Sequence, residues 1–279
     1  MKVFVAGATG GLGRRLVPIL VASGHQVVAM TRDRDKARRL LGAQVEQVVG
    51  DLDRPETIEA ALGGVDRLFL LTTQSGRQPD WERAVIAAAA GAGVARVVKL
   101  SVFRADEQSP LRFARQHRQA ERALEQSGLP WTLVRPVFLM QNLRAMVRGG
   151  AVYTAAGDGR VAMIDARDIA AVAAAALTTP GHEGRIYTLT GPDAVTFDDV
   201  ASELSRQSGK QIRHVRVSVD DVRTALESAG LAAWFADDMA RLHAMLAAGY
   251  EDLVTDDVRE VTGSPARTLA QFLRDTGGT

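Results

Sequence analysis

The chain contains no cysteine. That excludes disulfides, thiolate nucleophiles and cysteine-ligated metal clusters. Imidazole is scarce as well. The histidines are His25, His117, His182, His214 and His243, and no two share a metal-ligand spacing such as His-Glu-x-x-His, so no metal is expected. Neither sign of charge dominates: 34 basic residues stand against 33 acidic ones. A duplex-binding surface usually carries a strong basic bias, so no nucleic acid is expected as a partner. Long hydrophobic runs are also missing. The alanine-rich stretches AVIAAAAGAGVA and AAVAAAALTT are too short and too weakly apolar for the roughly 20 residues that cross a bilayer. The N-terminus enters a strand and a glycine turn at once, without the cleavage-site pattern of a secretory signal. The expectation is a soluble, cytoplasmic protein that acts on a small molecule and has no membrane partner. The commonest closed assembly, a twofold homodimer, is the default for its oligomeric state.

What is present fits an enzyme-sized α/β chain. Its 279 residues, 46% of them hydrophobic, suffice for one large domain or two small ones with a sizeable core. Short β-branched runs at 2–6, 26–31, 43–50, 66–73 and 95–101 alternate with helical patterns at 12–24, 33–41, 54–62 and 81–93. In the first helix Leu12, Leu16, Ile19 and Leu20 recur near the 3.6-residue period. Nearly continuous apolar strands between helices predict a parallel sheet covered on both faces, a Rossmann-type doubly wound fold. A long helix over 111–125 and a strand over 129–136 follow. The pattern then loosens into a short helix over 138–150, a short strand and a helix within 161–177, and a strand over 185–191. After Thr196 come a helix capped by that residue, a strand at 211–218 and three more helices. The last is expected over 264–275, with Ser264 as N-cap and Pro265 at its first position. The expected organisation is a single domain over 1–279. Residues 1–135 form its cofactor-binding core, and 136–160 and 190–279 supply most of a smaller C-terminal α/β lobe on the substrate side.

The strongest motif is GATGGLG, with Gly7, Gly10 and Gly13 between the first strand and the first helix. Gly7 permits the tight turn, Gly10 lets the backbone approach a pyrophosphate, and Gly13 allows close helix–strand packing. The N–H groups at the helix start then face the phosphates. Thr9 and Leu12 belong to the same turn. At the end of the second strand, where an acid would accept from an NAD ribose, stand Thr31 and Arg32. Arg32, with Lys36 nearby, suits a 2′-phosphate and points to NADPH over NADH. Asp33 is the competing feature, since a one-residue slip would put its carboxylate at the ribose. Asp51 and Leu52 close the third strand and are expected at the adenine; Asp51 as a cap for the next helix is the alternative. Thr72, Thr73, Gln74 and Ser75 end the fourth strand on the ligand side. The first three are read as cofactor contacts and Ser75 as a substrate contact.

The chain resembles the NmrA-like branch of the atypical short-chain dehydrogenases/reductases, which includes flavin-free NAD(P)H:quinone oxidoreductases of type 2. The resemblance rests on GATGGLG, Thr31-Arg32, Gly50-Asp51-Leu52, VVKLSVF from Val97, the stretch from His117 to Asn142, RDIAAVAAAAL from Arg167 and YTLTGP from Tyr187. It implies Pro136 and Phe138 beside the nicotinamide and Asn142 on the substrate side. The chain departs from ordinary dehydrogenases in lacking Tyr-x-x-x-Lys. Tyr153, Tyr187 and Tyr250 have no lysine four residues later, and the comparable helix has Phe113 and His117 at that spacing. The polar groups left near the fifth strand are Lys99, Ser101 and His117. Lys99 and Ser101 are read as cofactor-binding. His117 is the preferred proton donor or orienting group, with a surface pairing to Glu121 as the alternative. Hydride transfer to a flat, electron-poor ring needs mainly positioning, so an NADPH-dependent quinone-type reductase is the expected activity. The alternative is a non-enzymatic NADP-binding redox sensor of the NmrA type.

Overall fold

The computed structural model describes residues 1–277. Its strands in chain order are β1 (Lys2–Val5), β2 (Gln26–Thr31), β3 (Glu46–Val49), β4 (Arg67–Leu70), β5 (Arg96–Leu100), β6 (Trp131–Pro136), β7 (Val147–Arg148), β8 (Ala151–Thr154), β9 (Arg185–Leu189) and β10 (Arg213–Arg216). The helices are α1 (Gly13–Ala22), α2 (Arg34–Leu41), α3 (Pro55–Ala61), α4 (Gln78–Gly91), α5 (Arg112–Glu125), α6 (Leu143–Met146), α7 (Ala166–Thr178), α8 (Phe197–Ser208), α9 (Val219–Ser228), α10 (Ala233–Ala247), α11 (Asp257–Thr262) and α12 (Leu269–Thr276). They divide into two compact units. One comprises Met1–Gln108, Ala114–Arg135 and Ala166–Tyr187. The other comprises Ser109–Phe113, Pro136–Asp165 and the chain from Thr188 onward.

The first unit is built on the large sheet, ordered β3-β2-β1-β4-β5-β6-β9. Successive neighbours from β3 through β6 pair in parallel. Such a sheet needs cover on both faces, and its central strands are accordingly rich in buried apolar residues. Val3, Phe4 and Val5 of β1, Leu68 and Phe69 of β4, and Val97 and Val98 of β5 are all fully buried. On one side, Phe4, Val28, Leu68 and Leu70 pack with Ile58, Leu62, Val85 and Ile86 from α3 and α4. On the other, α1 lies against α7, whose Ala170 and Ala173 are fully buried. The chain runs outward from β1 to β3, then returns to the opposite side of β1 for β4. The carboxyl ends of β1 and β4 therefore flank a topological switch point, where open α/β sheets hold ligands.

The second unit has its own sheet, β10-β8-β7, with β8 parallel to β10 and antiparallel to β7. The sequence does not announce β8. Its four residues, between Gly149-Gly150 and Gly157, are too short for a readable alternation. The strand expected within 161–177 forms only the isolated bridges Leu139–Ile164 and Val161–Val195. At α8 the expected N-cap is present: Thr196 accepts from the Asp199 N–H while the Asp199 carboxylate accepts from that of Thr196. At α12 the expectation is corrected. The N-cap is Thr268, four residues beyond Ser264, because Thr268 and Gln271 form a reciprocal capping box. Pro265 thus lies ahead of the helix. Close backbone packing sets Gly191, where a Cβ would fall 2.1 Å from the Met163 carbonyl oxygen.

Candidate functional site

At the switch point the loops after β1 and β4 nearly touch. Gly7 has φ +74°, and a Cβ on it would lie 2.7 Å from the Leu71 carbonyl oxygen. A Cβ on Gly13 would lie 2.3 Å from the Gly7 carbonyl oxygen. The turn is thus compact enough to bring α1 directly against the strand end. Leu12, the N-cap of α1, supplies no side-chain cap, and no acid stands in the first turn. A helix start of that kind favours an anion. The turn opens into a cleft of about 410 Å³. Gly7, Thr9 and Gly10 line one part of it, Met30 and Thr31 come from β2 with Arg32 directly after it, and Gly50, Asp51, Leu52 and Asp53 come from the loop after β3. Leu71, Thr72, Thr73 and Trp81 complete it.

At the exit of the second strand, Asp33 is engaged by α2. Asp33 is its N-cap, and its carboxylate accepts from the Lys36 N–H at 2.9 Å. Its backbone is held as well, with Thr31 Oγ1 donating to the Asp33 carbonyl at 2.9 Å. Arg32 is exposed and faces the cleft, whereas Lys36 sits on the exposed first turn of α2. Asp51 does not cap α3. Its Oδ1 accepts from the Asp53 N–H at 3.0 Å in a local turn, and the N-cap of α3 is Arg54. At the rim, Asp53 accepts from Trp81 Nε1 at 2.6 Å and pairs with Arg77 at 2.5 Å. The sequence reading does not include Trp81 or Asp53 among the candidate residues.

Behind the end of β4 lies a buried polar network. Lys99 is fully buried, and its Nζ reaches Glu82 Oε2 at 2.9 Å, the Leu100 carbonyl at 2.9 Å and His117 Nδ1 at 3.1 Å. Thr72 Oγ1 donates to Glu82 Oε1 at 2.8 Å, and Gln78 Nε2 does so at 3.3 Å. The side-chain nitrogens of Gln74 and Gln78 each stand 3.3 Å from His117 Nε2. Ser101 donates to Glu121 at 2.6 Å, and Glu121 also takes both Arg135 and Arg118. His117 is therefore neither a surface residue nor the partner of Glu121. Burial first, and then the Lys99 charge, push its pKa well below the ordinary value, so the ring is neutral. A neutral imidazole is a weak acid, which argues against the proton-donor role and leaves the orienting one. Lys99 and Ser101 likewise spend their hydrogens inside the protein, a different arrangement from the cofactor contacts expected of them.

Glu82 and Gln78 are the residues that sequence reasoning missed. They lie one turn apart on the buried face of α4, in line with Val85, Ile86 and Ala89. Two polar residues on an otherwise apolar helical stripe are the signal that could have found them. The remaining candidates are placed as follows. Ser75 accepts from the Arg77 N–H, and its carbonyl takes Gln116 Nε2 at 3.1 Å. Pro136, Phe138 and Asn142 belong to the second unit. There Phe138 packs edge-on to Phe197 at 6.1 Å, its N–H donates to Glu251 at 2.8 Å, and Asn142 is exposed.

The neutral ring has a consequence for stability. An unfolded histidine takes a proton near pH 6.5, whereas folded His117 does not. The group is thus without cost above about pH 6.5. Below that, the unfolded chain binds the extra proton, and stability falls by about 1.4 kcal/mol per pH unit. His243, pushed down to about 4 by burial, adds a second such loss between about pH 6.5 and 4. Urea midpoints measured across this window should fall steeply with acidification. A flat profile down to about pH 5 would contradict the buried, neutral assignment.

Residues 7–180 match the family described as NAD(P)H-binding. The chain is 39% identical over 276 residues to the NAD(P)H azoreductase of Xenophilus azovorans, covering 98% of this chain and 96% of that protein. It is 34% identical over 278 residues to quinone oxidoreductase 2 of Escherichia coli, covering 96% of each. The crystal structure of the NADPH-dependent quinone oxidoreductase from Escherichia coli complexed with NADPH superposes with a TM-score of 0.89 at 32% identity, over 99% of both chains. With the glycine cradle, the switch-point cleft and these matches together, the chain belongs to the NAD(P)H-binding family.

Proposed function

We propose that the protein is an NADPH-dependent reductase that passes hydride to a quinone or a similarly flat, electron-poor acceptor. The observation that carries this reading is the chemistry at the ends of β4 and β5. Lys99, Glu82 and His117, the titratable groups there, are locked into one another and buried. No strong acid is left to protonate an alkoxide, and Phe113 stands where a dehydrogenase would place its tyrosine. An acceptor that stabilises its own negative charge needs no such acid. The names of the two relatives, an azoreductase and a quinone oxidoreductase, fit an acceptor of this kind.

The cleft residues fit the dinucleotide. The Gly7–Gly13 turn would receive the pyrophosphate, Arg32 the 2′-phosphate, and Leu52 and Asp51 the adenine. Bound NADPH would supply the hydride. Thr72, Thr73 and Gln74, after the end of β4, would face the ribose and nicotinamide, and Thr73 and Gln74 are exposed there. Ser75 and Asn142 are retained as substrate-side contacts, and Pro136 and Phe138 as nicotinamide contacts. A cytoplasmic location belongs to the same proposal. The test mixes purified protein with NADPH and a panel of simple quinones and follows the reduced-nicotinamide absorbance. Turnover with at least one quinone supports the reading. Tight NADP binding without turnover across the panel would favour a sensor instead.

A further inference from the structure

The network behind β4 is more elaborate than hydride transfer requires, and its hydrogen bonds run in one direction. The Lys99 ammonium has three hydrogens. The structure supplies two hydrogen-bond acceptors, the Leu100 carbonyl and His117 Nδ1, and an ion-pair partner, Glu82 Oε2 at 2.9 Å, which keeps the amine charged and so a donor only. Nδ1 is therefore an acceptor, and the one proton of the ring sits on Nε2. The converse arrangement, with Nδ1–H donating to an uncharged amine, would leave the Glu82 carboxylate as a lone buried charge.

Two carboxamides face Nε2. That of Gln78 is held by Glu82 through its nitrogen. Among the described residues, His117 is the one side-chain partner of Gln74. Two N–H groups cannot bond to each other, so a half-turn of the Gln74 carboxamide, which brings its oxygen to Nε2–H, satisfies the ring. That turn leaves the Gln74 N–H pair facing outward. Gln74 is exposed, directly after Thr73 of the cleft.

We propose that Glu82 and Lys99 are positioning residues that act through His117 on Gln74, and that the Gln74 side-chain N–H is the donor offered to the acceptor's oxygen. The proposal rests on the reductase reading. When hydride adds to a quinone, the electron pair moves onto the carbonyl oxygen. A donor held in place before reaction stabilises that charge, and a proton from water then completes the hydroquinone.

The experiment has two readouts. The first compares Gln74→Glu and Gln74→Ala with the parent chain for kcat and for the NADPH Kd. Glutamate keeps the size of the side chain and an acceptor for Nε2–H, but offers no N–H. Both variants should lose roughly tenfold or more in kcat, with Kd unchanged within about threefold. Full kcat in Gln74→Glu would overturn the donor role. The second readout is the ¹⁵N spectrum of the His117 ring in the NADP-bound protein. The parent chain should show Nε2–H. In the double variant Lys99→Met/Glu82→Met, which removes both buried charges together, the tautomer should become mixed. Its kcat should fall as far as in Gln74→Glu, while NADP binding is retained. An Nδ1–H signal in the parent chain would overturn the positioning chain whatever the turnover. An Nε2–H signal without turnover on any quinone would leave the positioning chain standing and defeat the reductase reading instead.

Discussion

Glu82→Met should destabilise the folded chain by about 3–5 kcal/mol, the cost of stranding a buried partner charge. The Lys99 ammonium is fully buried, and its counterion is Glu82 at 2.9 Å. Removing the carboxylate leaves a cation in low-dielectric surroundings, beside a neutral imidazole that cannot compensate it. Thr72 and Gln78 lose their acceptor in the same step. The double variant Lys99→Met/Glu82→Met should recover most of that loss and lie within about 1–2 kcal/mol of the parent chain, because no charge is left unpaired and the methionines fill similar volume. Urea midpoints for the parent, both single variants and the double variant close the cycle. Additive losses in the double variant would show that the two side chains do not act as a pair.

Arg32→Glu should weaken NADPH by about 100-fold, or about 2.7 kcal/mol, and NADH by less than about threefold. The guanidinium is exposed at the mouth of the cleft, so its contribution is a charge-assisted contact with a phosphate rather than packing. Reversal replaces that contact with repulsion. NADH, which has no 2′-phosphate, should be nearly indifferent. Asp33 cannot take over the ribose in NADH without giving up its cap on α2. Calorimetric titration of both dinucleotides at one ionic strength measures the difference. Equal weakening of the two would defeat the 2′-phosphate assignment, and raising the salt concentration should narrow the gap.

The parts legible in the sequence share a physical character. The central strands, β1, β2 and β4 above all, announce themselves because a parallel sheet buried on both faces favours apolar runs. The glycine turn is legible because glycine adopts a positive φ without steric cost, as at Gly7, and leaves room for a backbone approach that any Cβ would block, as at Gly13. Thr196 is legible because capping is local chemistry. The same locality misled at α12, where two candidate caps, Ser264 and Thr268, stand four residues apart. The reciprocal partner Gln271 decides between them.

By itself, then, the sequence determined the doubly wound sheet, the glycine turn after its first strand, the basic residue at the exit of its second, and the absence of the usual tyrosine–lysine pair. Tertiary structure alone decided which groups Lys99 and His117 meet. They are 18 residues apart in the chain and join Glu82 from another helix in one buried cluster. Whether a lysine reaches a ligand or a carboxylate depends on which groups share its dry surroundings. Those partners come from separate elements, whose meeting no local pattern records.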